Sequence, residues 1–177
     1  MRQVRATDGL MTITQGEFVV SDNPDCVVST ILGSCVSTCL WDPIAGVGGM
    51  NHVLVARSGA GPTANDAAGV NAMELLINAL VRIGADRRGL QAKVFGGAKM
   101  ISGLSDIGQL NGIFTLEFLD RESIPCISKS LGGTLARQVR FHPTIGRAQL
   151  KLVSADNAQE TIVEAPPQKV GNDVELF

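Results

Sequence analysis

The feature that most constrains the fold is a predicted β-hairpin in the first third of the chain. The segments Val36–Trp41 and Gly48–Val55 have the composition of short strands, and the sequence DPIAGV separates them. Asp-Pro suits the start of a four-residue loop, and a loop over residues 42–45 places Trp41 opposite Gly46. In that register Cys35 lies directly opposite His52 on the adjacent antiparallel strand.

This register brings together one nucleophile and one base, the Cys35 thiol and the His52 imidazole. Directly opposed residues of an antiparallel ladder have Cβ atoms about 4.5 to 5.5 Å apart, which lets the two side chains meet. The sequence does not determine this register, and the pairing depends on it: a slip of one residue would put the two side chains on opposite faces of the sheet. The residues alone therefore leave two interpretations open: a catalytic Cys-His pair, or a free cysteine that serves as a small buried hydrophobe.

The rest of the sequence alternates strand-like segments with two helical ones, which predicts a mixed α/β domain. Apolar residues recur at helical spacing from Val70 to Val81 and stop at Gly84, after a candidate capping box at Thr63 and Asp66. A weaker helix is predicted over residues 111–122. Further strands are predicted at residues 18–20, 90–95, 124–129, 137–141 and 148–153.

Length and composition limit the domain organisation. With 177 residues, of which 45% are apolar and 18% charged, the chain suits one well-packed domain, which we assign to residues 1–153. Residues 154–177 include Pro166-Pro167 and few large apolar side chains, so we expect a loosely attached C-terminal tail. A net charge of −2 with scattered Lys and Arg argues against a nucleic-acid partner.

The sequence also predicts a cytoplasmic protein without membrane insertion. The N-terminus builds no apolar core of a secretory signal, and no run of about 18 apolar residues occurs. Thiols stay reduced in the cytoplasm, so the four cysteines are expected to be free.

Cys39 would lie about 13 Å from Cys35 along a strand, too far for both to bind one metal ion. We expect neither a metal nor a cofactor.

Several segments of the sequence match the ordered pattern of one protein family. The longest is STILGSCVSTCLWDPIAGVGGMNHVLV at residues 29–55, and the others are QGEFVVSDNP, NAMELLINALVRIGADRRGLQAKVFGGAKM, IGQLN and GGTLARQVRFHPTIG. Together they span about residues 13–153 and resemble the CheD family, the chemoreceptor glutamine deamidases of bacterial chemotaxis. The resemblance implies a compact, single-domain α/β sandwich similar to the catalytic domain of cytotoxic necrotizing factor toxins.

The resemblance also implies roles for individual residues. Cys35 matches the family's nucleophile and His52 its basic partner, while either Ser29 or Thr30 supplies the hydroxyl group of the usual set. Ser29 stands six positions before the cysteine, as in the family pattern, so we expect the larger contribution from Ser29. Backbone N–H groups of Ser34 and Cys35 are candidates to stabilise an oxyanion. Cys35 would attack a glutamine side-chain amide, release ammonia and form a thioester that water hydrolyses.

The implied partners leave three functional hypotheses open. The first is a protein-glutamine deamidase acting on the cytoplasmic helices of chemoreceptors, with a further methylesterase activity on the same sites. The second is a binding module that regulates a phosphatase of the CheC type. The third is a small-molecule Cys-His amidase or peptidase, which is disfavoured because no separate specificity domain is visible in the sequence.

Overall fold

The computed structural model describes residues 1–55, 62–99, 107–153 and 175–176, which form two β-sheets and two helices. The six-stranded sheet has the order β1-β3-β6-β5-β7-β8, and the five-stranded sheet has the order β11-β10-β9-β4-β2. The first sheet comprises β1 (Arg2–Gln3), β3 (Glu17–Ser21), β5 (Val36–Asp42), β6 (Val47–Asn51), β7 (Gln91–Gly96) and β8 (Cys126–Leu131). The second comprises β2 (Gly9–Thr12), β4 (Cys26–Leu32), β9 (Ala136–His142), β10 (Arg147–Val153) and β11 (Glu175–Leu176). The helices are α1 (Pro62–Arg82) and α2 (Ile107–Arg121), and a 3₁₀ turn occupies Arg87–Gly89.

The first sheet lies between the helices and the second sheet, so it has a hydrophobic core on each face. Strand β5 shows this arrangement, because all its residues are buried. Val36 and Leu40 belong to the core beneath the helices, whereas Cys39 and Trp41 belong to the core between the sheets. Successive side chains of a strand point to opposite faces, so a strand buried on both sides must carry apolar or small residues throughout. The predicted α/β sandwich with two main helices is confirmed.

Most predicted elements are present, with shifted ends. The predicted strands at residues 18–20, 90–95, 124–129, 137–141 and 148–153 correspond to β3, β7, β8, β9 and β10. Helix α1 already begins at Pro62, which places Thr63 inside its first turn; the side chains of the proposed capping pair lie outside the described residues. Helix α2 begins at Ile107, four residues earlier than predicted, and strands β1, β2, β4 and β11 were not predicted.

The predicted hairpin of β5 and β6 is present, but its register differs from the prediction by two residues. Trp41 pairs with Gly48 rather than with Gly46. The same register continues to an isolated bridge at the other end of the hairpin, so Cys35 and His52 are not directly opposite each other. Since a shift of two residues preserves the alternation of side chains, both residues still point toward the second sheet.

The Asp42 side chain explains why the register was predicted wrongly. Asp42 is the last paired residue of β5, opposite Val47, instead of the first residue of the loop. Its buried carboxylate accepts the N–H groups of Ile44 at 2.8 Å and Ala45 at 3.1 Å. Gly46, at φ +66°, then closes the loop by donating its N–H to the Asp42 carbonyl at 2.9 Å. The loop therefore has four residues, as predicted, but starts one residue later.

The predicted tail, residues 154–177, lies outside the described residues except for β11, which pairs antiparallel with β10. Neither α1 nor α2, the helices of the described ranges, has the length and hydropathy needed to cross a membrane.

Candidate active site

Cys35 lies in the tight connection that carries the chain from β4 in the second sheet to β5 in the first. Its side chain is buried, with 9% of its surface exposed. The backbone around it is held by the start of the segment after β7: Gly97 donates its N–H to the Cys35 carbonyl at 2.8 Å, and Ala98 donates to the Gly33 carbonyl at 2.9 Å. The glycines of VFGGAKM thus permit a close backbone approach to the cysteine.

We expect Gly96→Ala to damage the support of Cys35. Gly96 has φ +114°, and a Cβ atom there would lie 2.2 Å from the Cys35 carbonyl oxygen. Gly84 is the matched control, because it has φ +109° with nothing within 4 Å of an added Cβ. In denaturant unfolding, Gly84→Ala should cost about 1 kcal/mol from backbone strain and Gly96→Ala about 3 kcal/mol or more. Equal losses in the two variants would contradict the close approach.

His52 directly follows β6 and is fixed from both sides. Its N–H donates to the Glu17 carbonyl at 2.9 Å, and its carbonyl accepts the N–H of Gly16 at 2.8 Å. The ring atom Nδ1 lies 2.8 Å from Thr30 Oγ1, and that hydroxyl also donates to the Ile13 carbonyl at 2.8 Å. Because a hydroxyl has one proton, Thr30 must accept from Nδ1–H, which leaves Nε2 unprotonated in the neutral ring.

The hydroxyl beside His52 belongs to Thr30, whereas position in the family pattern favours Ser29. Both residues are buried in β4, but neighbouring residues of a strand point to opposite faces. The Thr30 side chain lies on the face that packs against the first sheet, where it reaches His52. The structure therefore brings Thr30, His52 and Cys35 to the space between the two sheets and turns Ser29 away from it.

Asn111 is a buried residue of α2 that sequence reasoning did not single out. Its side-chain N–H donates to the Ser34 carbonyl at 2.8 Å, and its Oδ1 accepts the N–H of Val55 at 3.0 Å. One side chain thereby links the turn before Cys35 to the chain that follows His52. The segment IGQLN contains Asn111, but no spacing in the sequence indicates which distant backbone groups it binds.

Burial controls the protonation of the two candidate catalytic groups. It raises the pKa of the Cys35 thiol to about 11 and lowers the pKa of His52 to about 4, the latter against a smaller upward effect of the Glu17 charge. Both shifts have the same cause, since a poorly hydrated site disfavours charge on either group. The resting pair is accordingly a neutral thiol and a neutral imidazole at pH 7.

The lowered pKa of His52 predicts a loss of stability in mild acid. The unfolded chain binds a proton at His52 near pH 6.5 and the folded chain only near pH 4, so stability is complete above 6.5 and falls toward 4. The shift corresponds to about 3 kcal/mol. Unfolding free energies measured between these pH values should depend less steeply on pH in His52→Gln than in the unchanged protein. His142→Gln is the comparison: burial and the Arg147 charge also lower the pKa of His142, so this variant should reduce the slope as well, but by less than His52→Gln. An unchanged slope in His52→Gln would refute the prediction.

The remaining thiols give no sign of a metal centre. All four cysteines are free, and Cys26 and Cys39 are fully buried in the core between the sheets. In the parts of the chain that the structure describes, no three His, Cys, Asp or Glu side chains are grouped so that they could hold a metal ion.

Comparisons with known proteins place the chain in a family. A family model described as CheD chemotactic sensory transduction matches residues 57–152. A protein of Agrobacterium fabrum named "probable chemoreceptor glutamine deamidase CheD" is 48% identical over 172 residues, covering 93% of this chain and 94% of that protein. The chain belongs to the CheD family. A CheD protein of the same name from Caulobacter vibrioides is 47% identical over 171 residues, covering 93% of this chain and 91% of the relative.

The match of the CheD family model begins after His52, so the interpretation of Cys35 and His52 depends on the geometry described above. Among solved structures, the Bacillus licheniformis hypothetical protein YfiH has a TM-score of 0.45 and 15% identity, covering 72% of this chain and 62% of the other. That likeness is too distant to bear on function.

Proposed function

We propose that this CheD-family protein is a cytoplasmic protein-glutamine deamidase that converts glutamine side chains of chemoreceptors to glutamate. The single observation that most supports it is the hydrogen bond between Thr30 and His52 Nδ1. This bond fixes the ring and leaves Nε2 as the base, on the same face of the sheet as the Cys35 thiol. A nucleophile, a base and a group that orients the base are the parts that thiol-dependent acyl transfer needs.

The neutral resting pair determines how the first step proceeds. Cys35 is mostly a thiol at pH 7, so its proton moves to His52 Nε2 as the sulfur attacks the amide carbon of the substrate glutamine. The tetrahedral intermediate collapses when His52 passes this proton to the departing ammonia. A γ-glutamyl thioester remains on Cys35. Water then attacks the thioester with His52 as base, which releases glutamate and the free thiol.

The oxyanion of each tetrahedral intermediate needs hydrogen-bond donors. The backbone N–H groups of Ser34 and Cys35 suit this role, because they lie next to the sulfur and donate to no other group of the described residues. Asn111 supports them by holding the Ser34 carbonyl, which fixes the orientation of the following peptide group. No metal or cofactor enters this scheme.

We propose one further activity of the site and one alternative function of the protein. A glutamyl methyl ester presents the same acyl carbon to Cys35, so receptor methylesterase activity belongs to the proposal. Binding to a CheC-type phosphatase is the alternative function, in which the fold would act as a regulatory partner and chemistry would be secondary. We propose no nucleic-acid partner, given the net charge of −2.

Incubation with an intact receptor signalling domain tests the proposed function. Mass mapping of receptor peptides should reveal Gln-to-Glu conversion with one ammonia released per glutamine and an uncut receptor backbone. A receptor that stays unmodified while the protein binds a CheC-type phosphatase would favour the alternative. Backbone cleavage would instead indicate a peptidase.

A further inference from the structure

The loop between β2 and β3 contacts all three residues of the proposed site. We call residues 13–16 the Gln15 loop. Ile13 accepts the Thr30 hydroxyl, Gly16 donates its N–H to the His52 carbonyl, and the Gln15 side chain lies against Cys35. The loop is therefore a wall of the site and not an unrelated surface turn.

Gln15 places a glutamine carboxamide directly on the nucleophile. The Cys35 thiol donates to Gln15 Oε1 at a distance of 3.6 Å between sulfur and oxygen. Gln15 itself is exposed, whereas Cys35 is only 9% exposed beneath it. The proposed substrate carries the same functional group as this side chain. We propose that the Gln15 carboxamide occupies the subsite in which the substrate's glutamine amide binds, so that the substrate must displace it. This inference depends on the proposed function.

The contact explains why Gln15 can fill the subsite without reacting. Attack requires the amide carbon to face the sulfur and the amide oxygen to face the Ser34 and Cys35 N–H groups. In Gln15 the oxygen faces the thiol instead. The hydrogen bond from Gly16 to the His52 carbonyl holds the adjacent backbone in place.

The displacement requires little change in the protein. A neutral hydrogen bond from a thiol is weak, and an exposed side chain changes rotamer within nanoseconds. Release of Gln15 opens the sulfur to a glutamine presented by a receptor helix, while the loop backbone keeps its bonds to Thr30 and His52.

Thiol modification tests the proposal without requiring any enzymatic activity. Methyl methanethiosulfonate, a small reagent without an amide, should modify Cys35 about fivefold faster in Gln15→Ala than in the unchanged protein, as loss of one weak hydrogen bond predicts. Peptide mass spectrometry measures the rate, with half-exposed Cys126 as internal reference. Gln149→Ala, on the remote strand β10, is the matched control and should leave the rate unchanged. An unchanged Cys35 rate in Gln15→Ala would overturn the proposal.

A second measurement separates a carboxamide subsite from simple shielding. In Gln15→Ala, propionamide should slow the modification of Cys35, and propionate at the same concentration should not. Absence of protection by propionamide would overturn the subsite even if Gln15→Ala exposes the thiol. With receptor as substrate, the KM should fall in Gln15→Ala. If the unchanged protein deamidates no receptor, the proposed function fails, whereas the two thiol measurements still decide the role of Gln15.

Discussion

Cys35→Ser is expected to reduce receptor deamidation by about a thousandfold or more, while the protein stays folded. The substitution exchanges one sulfur for one oxygen at a residue that is already neutral at pH 7, so packing around it hardly changes. A serine hydroxyl is far less acidic than a thiol, and transfer of its proton to a base as weak as buried His52 is correspondingly harder. Ammonia release and mass mapping of the receptor both measure the loss.

Cys126→Ser is the control for this experiment, because Cys126 is half-buried in β8 and takes no part in the site. It should retain full activity. Binding to a CheC-type phosphatase, where it occurs, should persist in Cys35→Ser, which separates catalysis from partner binding. Undiminished ammonia release by Cys35→Ser would refute the thioester mechanism, and loss of both activity and binding would point to a damaged fold.

The sequence predicted the face of the first sheet toward which Cys35 and His52 point, but not the register of the hairpin. Side chains alternate with a period of two, so an error of two residues in the hairpin left both residues pointing the same way. The error itself arose at Asp42, whose carboxylate binds the N–H groups of Ile44 and Ala45 and so extends β5 by one residue. Asp-Pro indicated a turn correctly, but the sequence alone did not tell whether Asp42 belonged to the loop or to the strand.

The third residue of the site depended on a strand that the sequence did not reveal. In strand β4, CVVSTIL, Ser29 and Thr30 interrupt the run of apolar residues. Two adjacent polar residues do not follow the alternation of apolar and polar residues in a half-buried strand. Both are buried within the second sheet, but only Thr30 lies on the face that packs against the first sheet. Position in the family pattern alone favours Ser29 as the hydroxyl beside His52. The packing of the two sheets shows that it is Thr30.

The role of Asn111 could not be predicted from the sequence for a different reason. It is separated from Val55 by 56 positions and from Ser34 by 77, and its partners are backbone groups that carry no signature in the sequence. A buried asparagine on an apolar helix indicates that some hydrogen-bonding partner exists. Which partner it binds is decided by how α2 packs on the first sheet.

Thr30→Val is expected to lower kcat for receptor deamidation about 10- to 100-fold, the second-largest effect that we predict. Valine has nearly the shape of threonine, so the main loss is the acceptor for His52 Nδ1–H. Without it the proton is free to move to Nε2, the nitrogen that must receive the Cys35 proton, and the ring is no longer held in place. Loss of the donor to the Ile13 carbonyl should also reduce stability by about 1 kcal/mol.

Two further variants distinguish this positioning role from a purely structural one. Thr30→Ser keeps the hydroxyl and should restore most of the activity, whereas Thr30→Val should lower kcat with little change in KM, because Thr30 lies behind His52 and does not touch the substrate. Ser29→Ala, on the opposite face of β4, should change kcat less than about twofold, since it removes no bond to the catalytic ring. Denaturant unfolding of all three variants accounts for any loss of folded protein. A larger loss of kcat in Ser29→Ala than in Thr30→Val would contradict the assignment of Thr30 as the residue that orients His52.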